Sequence, residues 1–180
     1  MNTLIVVDLE ATCWLGHPPE GQKSEIIQFG IAKVDMDLLT VRRCASIYVT
    51  PERSTVSEFC TELTGVTKEV LDREGVPFER AINLISTMHQ PEWYKWGSWG
   101  DYDRRMIKEE CLDRGVENPF VECPWLNLRD MFGFKFKMGK GPGMDKALEF
   151  LGMELEGRHH DGGDDAWNIG RLVVEMLRRA

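Results

Sequence analysis

Residues 4–13, LIVVDLEATC, place two acids at the end of a continuous apolar run. A run of mostly β-branched residues of this length predicts a strand that is buried on both faces. Residues two apart in a strand point to the same side, so Asp8 and Glu10 are expected to present paired carboxylates where the strand ends. Paired like charges repel, and a divalent cation that prefers carboxylate oxygens would relieve this repulsion. The alternative is a strand whose acidic end simply reaches solvent.

Length and composition narrow the class of protein. A chain of 180 residues favours a single domain over residues 1–180, with a substantial core. No apolar run approaches the length of a membrane span and no basic segment precedes the first strand, so we expect a cytoplasmic protein without a membrane partner. Five scattered cysteines without a CxxC pair indicate reduced thiols. The net charge of −8 argues against a broad basic surface, but not against a metal-loaded cleft that binds a strand end.

Hydrophobic patterning predicts strands in the first third of the chain and mainly helices afterwards. After the first strand, further strands are expected over 25–35 and 42–50, as an antiparallel meander, and over 93–99. Helices are expected from Lys68, capped by Thr67, and over 77–90, 103–114, 126–134, 144–152 and 164–179. This order favours an α/β protein with a mixed sheet flanked by helices. The helix over 77–90 should bury one apolar face, formed by Phe78, Ala81, Ile82, Ile85 and Met88.

Gly30 interrupts the pattern of its strand. A glycine at such a position indicates either a bulge or the close approach of another backbone.

A second acidic cluster lies at residues 99–103, where a strand gives way to a helix. Asp103 is four and eight residues before Ile107 and Cys111, so it begins the apolar face of that helix. Asp101 aligns instead with a charged, solvated face. Asp103 is therefore the expected inward ligand, although both acids could merely cap the helix.

A third acidic cluster precedes the last helix. Asp165 shares a helix face with Ile169 and Leu172, whereas Asp164 shares a polar face that should meet water. A carboxylate at the start of a buried helix face needs either a metal ion or a buried hydrogen bond as its partner. His160 lies five residues before Asp165 in a glycine-rich loop, and histidine is the usual proton shuttle near neutral pH. The alternative for a loop histidine is a surface position without a role.

The three clusters together carry a resemblance that none of them carries alone. They read DLEAT at 8–12, WGDYD at 99–103, and His160 followed after four residues by Asp165. In this order, over nearly the whole chain, they resemble the DEDDh group of 3′–5′ exonucleases. Three longer stretches are similar to the branch that trims small RNAs, histone mRNA ends and ribosomal RNA ends, which includes bacterial sporulation-inhibitor-type exonucleases. These stretches are DLEATCW (8–14), EIIQFG (25–30) and FCTELTGVT (59–67).

The resemblance implies a fold and a reaction. The fold would be RNase H-like, with a mixed five-stranded sheet flanked by helices. The reaction would be hydrolysis from the 3′ end of single-stranded RNA or DNA, with release of nucleoside 5′-monophosphates. Two Mg²⁺ or Mn²⁺ ions, roughly 3.5–4 Å apart, would be held by Asp8, Glu10, Asp103 and Asp165. Glu10 would also contact the terminal 3′-hydroxyl, and His160 would deprotonate the attacking water.

The resemblance also suggests which residues receive the terminal nucleotide. Thr12 and Trp14 follow the first two acids, and Leu63 and Thr64 lie in a segment that wedges against terminal bases in the family. Stacking on an aromatic ring tolerates any base, so Trp14 or Trp99 could hold one. Core packing is an equal alternative for Trp99, because tryptophan is highly buried on average.

Two other functional classes compete with an exonuclease. One is a non-catalytic module that binds nucleic acid or protein on the same fold, and the other is a metal-dependent phosphohydrolase of nucleotides. The presence of all four acids and of His160 favours an enzyme, because fold alone does not decide function. The residues favour no particular oligomeric state and no choice between RNA and DNA.

Overall fold

In the computed structural model, which describes residues 2–179, the apolar run that ends in Asp8 and Glu10 is the middle strand of a five-stranded sheet. The strands in chain order are β1 (Thr3–Ala11), β2 (Ile26–Asp35), β3 (Thr40–Tyr48), β4 (Lys95–Ser98) and β5 (Trp125–Asn127). Their spatial order is β3-β2-β1-β4-β5. The strand β2 is antiparallel to β1 and β3, whereas β4 is parallel to β1 and β5. The predicted mixed sheet and antiparallel meander are thus confirmed.

Helices cover both faces of this sheet. They are α1 (Glu58–Thr64), α2 (Lys68–Glu74), α3 (Phe78–His89), α4 (Tyr102–Arg114), α5 (Leu128–Lys135), α6 (Met144–Leu151) and α7 (Gly162–Arg178), with a 3-10 turn over Pro91–Trp93. One core layer joins the sheet to α3 and α4, and a second joins it to α5, α6 and α7. Over residues 2–179, we find no helix that combines the length and the apolar character of a membrane span.

The alternation of side chains along β1 places both of its acids on one side of the sheet. Ile5 and Val7 pack in the layer with α3 and α4, and Leu4 and Val6 pack in the layer with α7. These four side chains are at most 1% exposed, and burial of each contributes about 1.5–3 kcal/mol to stability. Because side chains alternate along a strand, the acids at positions 8 and 10 project from the face that α7 covers.

The beginning of α7 lies directly on β2, and Gly30 makes this possible. A Cβ atom at Gly30 would overlap the carbonyl oxygen of Gly162, so only glycine fits here. The predicted close approach at Gly30 is therefore confirmed. Gln28, which is fully buried, accepts a hydrogen bond from the Gly162 N–H and donates one to Asp161 Oδ2, each 3.0 Å long. These contacts hold the first turn of α7 beside the end of β1.

The sequence-based assignment needs correction at three places. Met88 was expected in the buried face of α3 but is 62% exposed, and His89 is buried instead. One helical turn is 3.6 residues, so the residue one turn after Ile85 can be either position 88 or position 89. The helix α1 was not predicted, although Ser57 caps it through a side-chain bond to Cys60 N–H. Residues 125–127 form β5 rather than the start of a helix, since a three-residue strand carries no measurable periodicity. The cap of α2 by Thr67 is confirmed.

Candidate active site

Three acids from two distant parts of the chain meet where β1 ends. Asp8 and Glu10 come from β1, and Asp165 comes from the first turn of α7. Oxygen atoms of their carboxylates all lie within 4.8 Å of one another. Glu10 is 7% exposed and Asp165 is 5% exposed, whereas Asp8 is half-buried. The cluster is therefore compact, acidic and largely shielded from water.

Asp103 joins this cluster from the first turn of α4. Its side chain is buried, and its Oδ1 accepts a hydrogen bond of 3.1 Å from the N–H of Leu9, the residue between the two acids of β1. The neighbouring Asp101 is exposed and lies 3.5 Å from Arg105 Nε and 3.7 Å from Arg104 Nη1. The structure thus separates the inward acid from the outward one as the helical register predicts.

Burial and mutual repulsion disfavour the ionised state of these carboxyl groups in the metal-free protein. Burial, followed by the charges of Asp165 and Asp103, raises the pKa of Glu10 to about 8. Burial also raises the pKa values of Asp103 and Asp165 to about 7 each. The pKa of Asp8 is raised well above its ordinary value, by burial first and then by its acidic neighbours. The folded protein therefore concentrates negative charge at a cost that a cation would offset.

One oxygen atom supports the fit of a metal ion directly. Asp165 Oδ2 accepts a hydrogen bond from His160 N–H, but Oδ1 is buried and no donor among residues 2–179 reaches it. A buried carboxylate oxygen without a partner is costly. Carboxylate oxygens are the ligands that Mg²⁺ and Mn²⁺ prefer, so the donor set fits a hard divalent cation.

His160 stands at the edge of this cluster, in the turn before α7. Its backbone is left-handed, with φ of +65°, and its N–H donates to Asp165 Oδ2 over 2.9 Å. The ring stacks on that of His159, with centroids 4.0 Å apart and planes inclined by 13°. Partial burial, followed by the neighbouring His159, lowers the pKa of His160 below its ordinary value. The His160 imidazole is therefore neutral near pH 7 and able to accept a proton.

Asp164 differs from the expectation that it points to water. It is half-buried, its Oδ2 accepts a hydrogen bond of 2.7 Å from Arg158 N–H, and its Oδ1 pairs with the Arg43 guanidinium. The fully buried Asn168 completes the support, because its side chain bonds both the carbonyl oxygen of Glu156 and the N–H of Glu156. These residues fix the loop that carries His160, and the helical register alone did not reveal them.

Two of the five expected substrate contacts are occupied inside the protein. The Thr12 hydroxyl accepts a hydrogen bond from Glu25 N–H over 2.9 Å and lies 3.0 Å from the hydroxyl of Ser54. The Thr64 hydroxyl donates to the Cys60 carbonyl oxygen over 2.9 Å and accepts from Val66 N–H over 3.0 Å. Both threonine side chains are at most 2% exposed. They thus hold the backbone in place rather than face a cleft.

The other three expected contacts differ among themselves. Trp99 donates its indole N–H to the Pro142 carbonyl oxygen over 3.0 Å and packs edge-on against Phe132, with ring centroids 5.6 Å apart. Core packing is therefore the role that the structure gives Trp99. Trp14 is half-buried in the loop after β1, and Leu63 is 36% exposed at the end of α1. These two side chains remain accessible to a ligand.

Sequence reasoning missed a cation close to the acids. The Arg158 guanidinium donates to the carbonyl oxygens of Glu62 and Leu63, over 2.8 and 3.3 Å. Its charge also lowers the pKa of Glu10, although burial outweighs this effect. Arg158 thus joins the end of α1 to the loop before α7, beside the cleft. The sequence around Arg158 did not predict this contact, because its partners are backbone atoms nearly a hundred residues away.

A buried ion-pair network behind β1 was also missed. Glu25 is fully buried and accepts hydrogen bonds from Arg114 Nη2, at 2.7 Å, and from the backbone N–H of Arg53, at 2.8 Å. Arg114 in turn donates through Nε to Glu110 Oε1 at 3.2 Å. This network ties the end of α4 to the beginning of β2. It supports the site because Glu25 also bonds Thr12, which follows β1 directly.

Exchange of each acid of α4 for its amide should give unequal losses. Asp103→Asn should remove most of the nuclease activity that the sequence resemblance implies, because its carboxylate belongs to the buried cluster, whereas Asp101→Asn should leave the rate within about twofold. The measurement is the initial rate on a labelled oligonucleotide with saturating Mn²⁺. Equal losses in the two variants would contradict the assignment of Asp103 as the inward acid.

Comparison with known proteins places these residues in a family context. The family model RNase_T, described as an exonuclease, matches residues 5–173. The "3'-5' exonuclease Snipper" of Drosophila melanogaster is 30% identical over 97% of this chain and 69% of its own length. The human "3'-5' exoribonuclease 1" is 33% identical over 97% of this chain and 52% of its own length, so the chain spans about half of that relative.

A solved structure gives the same picture. The nuclease domain of 3'hExo, described as a DEDDh family member bound to rAMP, is 29% identical to this chain. It superposes with a TM-score of 0.88 over 99% of this chain and 93% of that domain. The similarity therefore covers the whole sheet and both helical layers.

Proposed function

The chain belongs to the RNase_T exonuclease family and to its DEDDh group, a family of hydrolytic nucleases, and from this membership we propose that it shortens single-stranded nucleic acid from the 3′ end. We propose RNA as the first substrate class, with DNA as a second, because the human relative is an exoribonuclease. The observation that carries the proposal is the meeting of four buried or half-buried acids with His160 at one end of β1. We further propose that residues 1–180 act as one exonuclease domain, since every helical layer packs on the same sheet.

In this proposal the acids hold the metal ions. Asp8, Glu10 and Asp165 would provide the shared oxygen ligands, and Asp103, which accepts the hydrogen bond from Leu9 N–H, would provide a further one. Two Mg²⁺ or Mn²⁺ ions, when bound, would polarise the phosphate oxygens and lower the pKa of the attacking water. The unpartnered Oδ1 of Asp165 supports this role, because it is an oxygen ligand without another use. Glu10 would also accept a hydrogen bond from the terminal 3′-hydroxyl.

His160 would act as the general base. Its imidazole is neutral near pH 7, and the hydrogen bond from its backbone to Asp165 holds the residue next to the acids. The ring would take a proton from the attacking water, which leaves the hydroxide to form the new bond to phosphorus. The displaced ribose oxygen would take a proton from solvent, and a nucleoside 5′-monophosphate would leave.

The terminal nucleotide would lie between the loop after β1 and the end of α1. Trp14 and Leu63 are two of the accessible apolar side chains there, and stacking on the Trp14 ring tolerates any base. Arg158 would face the terminal phosphates, because it is anchored to the same end of α1 and lies close enough to lower the pKa of Glu10. The solved relative is bound to rAMP, which supports a ribonucleotide as a ligand class.

A time course on single-stranded RNA and DNA tests the function. Each oligonucleotide carries a 5′ label and is incubated with Mg²⁺, with Mn²⁺ or with EDTA. We expect a ladder that shortens from the 3′ end with either metal and no cleavage in EDTA. An internal cut, or release of free phosphate from nucleoside monophosphates without oligonucleotide shortening, would contradict the proposal and favour a nucleotide phosphohydrolase.

A further inference from the structure

A second group of metal-ligating atoms shares one residue with the acidic cluster. The side chains of His159, His160 and Asp165 each offer an atom, and these three atoms all lie within 4.8 Å of one another. The group differs chemically from the four acids, because two of its ligands are imidazole nitrogens. Mg²⁺ prefers oxygen ligands, whereas two histidines with one carboxylate form a common set for Zn²⁺.

The geometry brings both rings over one carboxylate. His159 Nε2 lies 3.8 Å from Asp165 Oδ2, and the two imidazole rings are nearly parallel at a separation of 4.0 Å. The left-handed backbone of His160 and its N–H bond to Asp165 fix the dipeptide in this position. The loop therefore holds the backbone of both residues beside the carboxylate, with the two rings stacked face to face.

Asp165 belongs to both groups and offers an oxygen atom without a partner. Its side chain is at least nine-tenths buried, and its Oδ1 has no hydrogen-bond partner among residues 2–179. A tetrahedral Zn²⁺ with bonds of about 2.0–2.1 Å needs ligand atoms roughly 3.3 Å apart. Because the stacked rings lie in nearly parallel planes, both nitrogen atoms reach one ion only after a ring turns, and the His159 side chain, 39% exposed in a surface loop, is free to turn.

We propose that His159, His160 and Asp165 form a zinc site and that Zn²⁺ bound there blocks hydrolysis. Imidazole nitrogen binds Zn²⁺ more tightly than Mn²⁺, so the site discriminates between these ions. Inhibition follows because zinc occupies both the His160 ring and the Asp165 carboxylate, so that neither is available for hydrolysis. The inhibitory step rests on the proposed function, but zinc binding itself does not.

Zinc binding is tested on the metal-free protein without any substrate. ZnCl₂ is titrated by calorimetry into wild type, His159→Gln and, as a matched control, His17→Gln, whose histidine lies in the exposed loop after β1. We expect wild type and His17→Gln to bind zinc equally, and His159→Gln to bind at least about tenfold more weakly. In NMR spectra, zinc should shift the ring signals of His159 and His160 but not those of His17 and His89. Equal affinity in wild type and His159→Gln, or unshifted His159 signals, would overturn the site.

Inhibition is tested separately with Mn²⁺ as the activating metal. Each variant is compared with its own zinc-free rate, so a change in the basal rate does not disturb the comparison. We expect His159→Gln to need at least about tenfold more zinc than wild type for half-inhibition. Identical inhibition curves would overturn the inhibitory role even if binding is lost. A protein without nuclease activity would defeat the proposed function, while the binding titration would still decide the zinc site.

Discussion

Replacement of Asp8 by asparagine should lower the Mn²⁺-dependent exonuclease rate by at least about a thousandfold. Asp8 belongs with Glu10 and Asp165 to the group of carboxylates that could bind a metal ion. The charges of all three other acids, Asp103 included, raise the pKa of Asp8. The amide keeps the shape of the side chain but removes its charge and one oxygen ligand. Metal ions stabilise the developing charge by several kcal/mol, and each 1.36 kcal/mol corresponds to a factor of ten.

The measurement is kcat/KM on single-stranded RNA with a matched control. Asp37→Asn makes the same chemical change in the exposed turn between β2 and β3, at the opposite end of β1 from the acids. It should keep the wild-type rate. An Asp8→Asn variant that retains more than about a tenth of the rate would contradict the role of Asp8 as a metal ligand.

The same substitution should stabilise the metal-free protein at alkaline pH. Carboxyl groups titrate near pH 4 in the unfolded chain, whereas in the folded chain Glu10 titrates at about 8 and Asp103 and Asp165 at about 7. Between these values the folded state binds more protons, so the free energy of unfolding falls as pH rises from about 4 to 8. Asp8→Asn removes one of the repelling charges and should therefore raise Tm at pH 8.

Thermal melts at pH 6 and pH 8, with EDTA and with Mn²⁺, check this expectation. In EDTA the wild type should melt lower at pH 8 than at pH 6, and Mn²⁺ should raise its Tm because the ion binds only the folded state. The gain from Mn²⁺ should be smaller in Asp8→Asn. A wild-type Tm that is independent of both pH and Mn²⁺ would show that the acids do not form a cation site.

The parts of the site that could be predicted are those that local periodicity determines. Alternation along β1 places Asp8 and Glu10 on one side, and the helical period separates Asp103 from Asp101. Gly30 indicated the close approach of another backbone, because glycine inside a strand often marks such an approach or a bulge. Each of these inferences needs only residues within one helix or one strand, so a single sequence contains the information.

The parts that could not be predicted depend on pairs that are distant in the chain. Asp164 was expected to meet water, but Arg43 lies more than a hundred residues away and takes its carboxylate. The same holds for Glu25 with Arg114, and for Arg158 with the carbonyl oxygen of Glu62. Periodicity reports which face of an element is buried, but not which partner from another element will satisfy a polar group on it.

Exchange of His160 for asparagine should lower kcat by roughly 10²–10⁴-fold, which is the contribution of a positioned general base. Asparagine is the suitable replacement, because it tolerates the left-handed backbone at φ of +65° and keeps the N–H that bonds Asp165. Its amide cannot accept a proton from water near neutral pH. The metal-induced rise in Tm should persist, since the acids are unchanged. A variant that loses both activity and the Mn²⁺ effect would show that His160 supports the metal site instead.

The pH dependence of kcat distinguishes a base from a structural histidine at this position. Only the neutral imidazole accepts a proton, so the rate of the wild type should fall on the acid side of the profile. Because burial lowers the pKa of His160, and a bound cation would lower it further, the midpoint should lie below the ordinary histidine value of about 6.5. His160→Asn should lose this acid limb, whereas His17→Asn should keep it and His159→Asn should lose far less rate than His160→Asn. If His159→Asn is the inactive variant, or if His160→Asn keeps the acid limb, the base lies elsewhere in the loop before α7.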